Sequence, residues 1–169
     1  LMAPPYFPVP YDRIAKSITI ETLDAMEFSI GKIAVSAHRL NHPGTALGYK
    51  LTTEAGAIAY LADNEVPRDN VAIRDDLVGF IRNANVVIID SQYDAPEYGE
   101  RCGWGHGCVD EVVELAAAAN VGRLYLFHHD PEHDDARVDQ LVERARQLGV
   151  RANSRMQIEG AREGGTFVL

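Results

Sequence analysis

Four apolar runs each end in a side chain that could ligate a metal or move a proton: Arg39-Leu40-Asn41-His42, Tyr60-Leu61-Ala62-Asp63, Ile88-Ile89-Asp90 and Leu126-Phe127-His128-His129-Asp130. In sheets flanked by helices, ligands and substrates collect at strand ends. If these ends share one rim, imidazole nitrogen and carboxylate oxygen converge, a donor set that suits zinc, manganese or iron. Two such ions can clamp both the attacking and the leaving oxygen of a displacement. Each residue also has a plainer reading. His42 precedes Pro43-Gly44, which makes a stiff mounting but equally a loop histidine with a local partner. Asp63 could cap the Asn64-Glu65 turn, and Asp130 or Asp134 could cap the helix that follows. Successive side chains on a strand alternate faces, so only one of His128 and His129 is expected to point inward. His128 is taken as that one, with His129 and His133 facing solvent.

The segment Arg101-Cys102-Gly103-Trp104-Gly105-His106-Gly107-Cys108 is equally dense. Its glycines allow close backbone approach to a bound group just before a helix N-terminus, where His106 could serve as an acid or as a donor behind a ligand. Cys102, His106 and Cys108 can be read as structural zinc ligands, but such sites need a fourth ligand and none lies nearby in the sequence. Trp104 reads as a packing residue.

The elements that must position these groups follow from periodicity. Ser17 to Thr22 and Lys32 to Leu40 read as strands, and Leu47 to Thr53 with Ala57 to Ala62 as a hairpin about Glu54-Ala55-Gly56. Ile73, Leu77, Val78 and Ile81 form a helical stripe before the buried-strand run Val86-Val87-Ile88-Ile89. A second stripe, Val109, Val112, Val113 and Ala116, carries Asp110 and Glu111 in its first turn and leads into a strand from Arg123 to Phe127. A third, from Val138 to Leu148, is expected to end at Gly149, with closing strands at Arg155 to Ile158 and Thr166 to Leu169. The prolines at 4, 5, 8 and 10, with Tyr6, Phe7 and Tyr11 among them, predict an extended, docked opening. The fold class is α/β (α+β): a mixed sheet with helices on one face.

The 169 residues, 46% hydrophobic and 24% charged, suit a single domain spanning 1–169. No run approaches the roughly 20 apolar residues of a spanning helix and no secretory signal opens the chain, so a cytoplasmic setting without membrane contact is expected. Two cysteines are too few for a disulfide framework and are expected to be free. A formal charge of −9 disfavours long RNA as a partner, because affinity for polyanions rests on neutralised phosphates.

Leu40-Asn41-His42-Pro43-Gly44, Tyr60-Leu61-Ala62-Asp63-Asn64-Glu65, Gly103-Trp104-Gly105-His106 and Leu126-Phe127-His128-His129-Asp130-Pro131 occur in the order found in metallo-β-lactamase-fold hydrolases. They resemble most the branch holding ribonuclease Z and cyclic-nucleotide-phosphodiesterase-like enzymes, and the opening Met2 to Val9 resembles a mid-chain segment of the latter. The similarity runs to about Leu148. It implies an αββα sandwich with two divalent metals, zinc before manganese or iron. It makes His42 similar to the third histidine of the first metal site, Asp63 to the bridging carboxylate and His128 to the last histidine of the second site. His106 is similar to the histidine that assists at the scissile phosphate. The implied reaction is attack on a small phosphodiester or nucleotide by metal-activated water. The family signature His-x-His-x-Asp-His is absent, so the chain is expected to be the carboxy-terminal half of the fold, with weak metal binding and little turnover alone. An amino-terminal half chain would complete it. The alternative is a non-catalytic half-fold that forms a homodimer or docks on a partner.

Overall fold

The computed structural model describes residues 15–19 and 21–169, so the proline-rich opening lies outside the described residues. The elements run β1 (Glu27–Ile30), β2 (Ile33–Arg39), β3 (Leu47–Thr53), β4 (Gly56–Leu61), α1 (Val71–Ile81), β5 (Val86–Asp90), α2 (Ala95–Arg101), α3 (Val109–Ala118), β6 (Arg123–Phe127), α4 (Asp135–Arg151) and β7 (Gln157–Gly160). The strands form one mixed sheet in the order β1 to β7. β1 to β4 are an antiparallel meander, and β4 to β7 pair in parallel. The expected α/β architecture is therefore present.

Period-2 patterning builds the sheet. Ala59 and Leu61 of β4, Val87 and Ile89 of β5, and Leu124 and Leu126 of β6 are buried against Leu77 and Ile81 of α1, Val112 and Leu115 of α3, and Leu141 of α4. Each fully buried Leu or Ile is worth about 1.5–3 kcal/mol relative to exposure. The opposite face is thinner: Ile58, Ile88, Tyr125 and Phe127 are half-buried, and Tyr60 is exposed. Among the described residues, no helix is long and apolar enough to cross a membrane.

Several expectations differ from the fold. Of Ser17 to Thr22, the described residues 17–19, 21 and 22 are not strand; among the described residues the first strand is β1, which pairs with β2 alone. A strand paired on one side needs no continuous apolar pattern, so Glu27-Phe28-Ser29-Ile30 carries little signal. Gly149 is not a helix terminus. It lies buried within α4, where an added Cβ would meet Ile158 Cδ1 at 2.9 Å, and the helix runs on to Arg151. Residues 166–169 form no strand.

Helix α2 has no apolar stripe and arises from its cap. The Asp94 carboxylate accepts from Glu97 N at 3.1 Å, and the Glu97 carboxylate accepts from Asp94 N at 3.0 Å, a reciprocal pair that closes two free N–H groups. Arg137 of α4 then donates to Asp94 at 2.7 Å and lies 2.9 Å from Glu97. Burial works against both charged carboxyl groups, but these donors outweigh it and hold Asp94 and Glu97 below the ordinary carboxylate range. Their contribution is thus fully present above the unfolded values of about 4 and is lost as pH falls through the lower folded values. Thermal melts between about pH 5 and pH 3 should show stability falling with acidification. Arg137→Ala should flatten that slope; a parallel slope in the variant would contradict the assignment.

Candidate metal centre

Strand direction decides what meets. Two antiparallel steps separate β2 from β4, and β4, β5 and β6 are parallel, so the carboxyl ends of all four lie on one edge of the sheet. That edge carries Asp90 at the end of β5 and His42, Asp63 and His128 in the segments that follow β2, β4 and β6. Asp63 and His128 both adopt the left-handed backbone region, with φ of 54° and 57°, and turn sharply off their strands. Non-glycine residues held there carry strain that clusters at functional sites.

Asp63, Asp90, His106 and His128 form a group whose candidate ligand atoms all lie within 4.8 Å of one another. Asp90 is its hub and is fully buried. One carboxylate oxygen, Oδ1, accepts from Gly107 N at 3.0 Å; Oδ2 accepts from Asn64 N at 3.3 Å and lies 2.8 Å from His106 Nδ1 and 3.1 Å from His128 Nδ1. The Gln92 amide flanks the same His128 nitrogen at 3.0 Å. His128 Nε2 is left facing Asp63 at 3.5 Å. His106 gives its Nδ1 proton to Asp90, the carboxylate-behind-histidine arrangement that orients a ring at a metal site, whereas His128 Nδ1 lies between the Asp90 carboxylate and the Gln92 amide. The four side chains are chemically suited to a divalent cation, with Asp63 and His128 Nε2 facing each other across the open side of the group. Asp90 ends a strand like the others, and that was its only signal in the sequence; its central role required the fold.

His42 is adjacent but outside this group. Its ring lies edge-on to His106 with centroids 5.6 Å apart, and its Nδ1 accepts from Gly44 N at 3.1 Å. In that tautomer Nε2 carries the proton, so ligation by His42 requires the Gly44 contact to give way. The loop carrying His106 presses directly on this ring: at Gly105, with φ +92°, an added Cβ would lie 2.4 Å from His42 Cδ2 and 2.5 Å from Pro43 Cδ.

Beside Asp90, a second buried carboxylate shapes the site, Glu65. It is buried, accepts from Tyr98 Oη at 2.6 Å and Gly105 N at 2.9 Å, and receives Gly103 N at 2.9 and 3.1 Å on its two oxygens. Burial alone would raise its pKa, but these donors outweigh it and hold the carboxyl below its ordinary value.

His129 and His133 do not face solvent as expected. Both ring nitrogens of His129 are buried, and burial pushes its pKa down. His133 contacts Glu97 at 3.0 Å. The left-handed turn at His128 breaks the strand alternation on which that expectation rested. Trp104 is 58% exposed and packs nothing into the core. Cys102 and Cys108 are both free, as expected; Cys108 is buried and its thiol pushed up to about 11, and neither joins the ligand group.

The family described as Beta-lactamase superfamily domain matches residues 7–129. The chain belongs to the β-lactamase superfamily. Within this superfamily of metallohydrolases its sequence similarity lies on the ribonuclease Z side: it is 39% identical over 75 residues to ribonuclease Z of Thermoplasma acidophilum, covering 43% of this chain and 23% of that protein. It is 36% identical over 61 residues to ribonuclease Z of Picrophilus torridus, covering 36% of this chain and 20% of the relative. The matched stretches thus span about a fifth of the relatives' length. In fold, the chain is similar to the metallo-β-lactamase fold protein YhfI from Bacillus subtilis, with a TM-score of 0.70 at 19% identity, covering 92% of this chain and 60% of that one. The superfamily fold implies divalent metal binding, and the Asp63, Asp90, His106 and His128 donors are chemically suited to it.

Proposed function

We propose that this β-lactamase superfamily chain supplies the carboxy-terminal share of a metal-dependent phosphodiesterase centre, zinc being the expected ion. The observation that carries this reading is the hub at Asp90, one buried carboxylate against two imidazoles beside a second acidic group, Asp63. A bound divalent cation supplies an acidified water and an electrophile for a phosphoryl oxygen. The remaining roles fall to the chain itself. Asp63 and His128 hold the ion, and His42 joins them once it releases Gly44. His106, 19% exposed and anchored through Nδ1 to Asp90, would in its doubly protonated form donate from Nε2 a hydrogen bond to a phosphate oxygen or a proton to the leaving oxygen. The charge of −9 favours a small phosphodiester or nucleotide over long RNA.

In the test, the chain is loaded with Zn²⁺ or Mn²⁺ and combined with an amino-terminal segment bearing His-x-His-x-Asp-His; hydrolysis of bis(p-nitrophenyl) phosphate is then followed. The combined sample should turn over, the chain alone should show little activity, and His106→Ala should lose about 100-fold or more. A combined, metal-loaded sample no faster than buffer would sink the phosphodiesterase reading. The half-exposed Ile58, Ile88 and Phe127 with exposed Tyr60 favour a second reading, a half-fold that dimerises or docks through this face. Sedimentation at rising concentration decides it: a monomer throughout counts against self-association.

A further inference from the structure

We propose that Glu65 is the positioning residue of the centre, the peg that sets the 103–107 loop, and with it His106, in register with the turn that carries Asp63. This rests on the metal-centre reading above and adds a residue to it. Three of the five residues from 103 to 107 are glycine, and the loop belongs to no helix or strand ladder. Such a segment has little conformational preference of its own. Its placement must come from outside.

Glu65 supplies that placement from both directions. Its backbone is tied to the His42 segment, with Glu65 N donating to Asn41 O at 2.9 Å and Asn41 Nδ2 donating to Glu65 O at 3.1 Å. Its carboxylate then takes the N–H groups of Gly103 and Gly105 as well as the Tyr98 hydroxyl. Only a two-oxygen acceptor satisfies these donors together, and charge-assisted bonds of this kind are about twice as strong as neutral ones. Gly105 is thereby drawn against His42 and Pro43, and the next residue, His106, meets Asp90. One side chain, two positions after Asp63, thus aligns the Asp63 turn with the histidine loop. A glutamine would keep the shape but turn an amide N–H₂ toward one of the backbone donors. An alanine would leave all of them unpaired.

The test compares the parent chain with Glu65→Ala, Glu65→Gln and Tyr98→Phe, with Val142→Ala as a variant destabilised in the core far from the centre. Amide hydrogen exchange at Gly103 and Gly105 should accelerate by about 100-fold in Glu65→Ala, with smaller rises in the Gln and Phe variants, while β5 and β6 amides keep their protection. Zn²⁺ affinity, read by chelator competition, should fall about 10–100-fold in Glu65→Ala and stay unchanged in Val142→Ala. Protected Gly103 and Gly105 amides in Glu65→Ala would overturn the proposal. So would affinity that falls as far in Val142→Ala at equal thermal destabilisation. Should the alanine variant fail to fold, the Gln and Phe variants give the same comparison. Neither readout involves turnover, so failure to hydrolyse a phosphodiester would count against the proposed activity and leave this result standing.

Discussion

Asp90→Asn is expected to weaken zinc binding by at least about 100-fold while the chain still folds, a larger loss than removal of an outlying partner causes. Asparagine matches the carboxylate in shape and can keep one acceptor toward Gly107 N or His106. It cannot accept from both imidazoles and from both backbone N–H groups, because half of its polar atoms become donors. At least one imidazole then loses the carboxylate contact that orients its ring. Asp90→Ala should be worse for folding too, since Asn64 N and Gly107 N would lose their partner inside the core at about 1–3 kcal/mol for each unsatisfied group. Chelator competition together with thermal melts separates the two effects. An asparagine variant that binds zinc as tightly as its parent would remove Asp90 from the centre.

Gly107→Ala is expected to be the most destabilising methyl addition in the chain, at about 3 kcal/mol or more. A Cβ there would sit 2.0 Å from the Asp90 carbonyl oxygen and 2.8 Å from its carbon, and both are backbone atoms that cannot swing away as a side chain can. The loop cannot retreat either. Tyr93 N donates to Gly107 O at 3.0 Å and Val109 N to Tyr93 O at 2.8 Å, stitching both flanks to the segment after β5. The clash therefore displaces Asp90 itself, and metal affinity should fall with stability. Gly79→Ala is the matched control. That glycine sits in α1 with nothing within 4 Å of an added Cβ, so alanine should be neutral or stabilise by about 0.4–1 kcal/mol. Denaturant melts on the pair measure both. Equal stabilities for the two variants would show that the loop yields where the geometry says it is held.

What could be read from the sequence follows how each element earns its stability. β4, β5, β6, α1, α3 and α4 bury apolar side chains at their natural period, and a period survives in one dimension. β1 and α2 depend on one-sided pairing and on a reciprocal cap. The Asp94-x-x-Glu97 spacing was a local signal for α2, but one that many loops also carry. The site divides in the same way. His42, Asp63, His106 and His128 were visible as chemistry-bearing residues at run ends or in a glycine-rich segment, and the order of their segments was enough to point to a family, whereas Asp90 showed only as a run end.

Their convergence was not visible, because it depends on β2, β4, β5 and β6 pointing the same way in one sheet, which no local pattern encodes. Nor was the hub at Asp90, the peg at Glu65, or the burial of His129 beyond a left-handed His128. Ligand identity is a property of residue type and stays legible along the chain. Ligand geometry is a property of contacts between residues tens of positions apart, and only the folded sheet edge, with its buried carboxylates and strained turns, decides it.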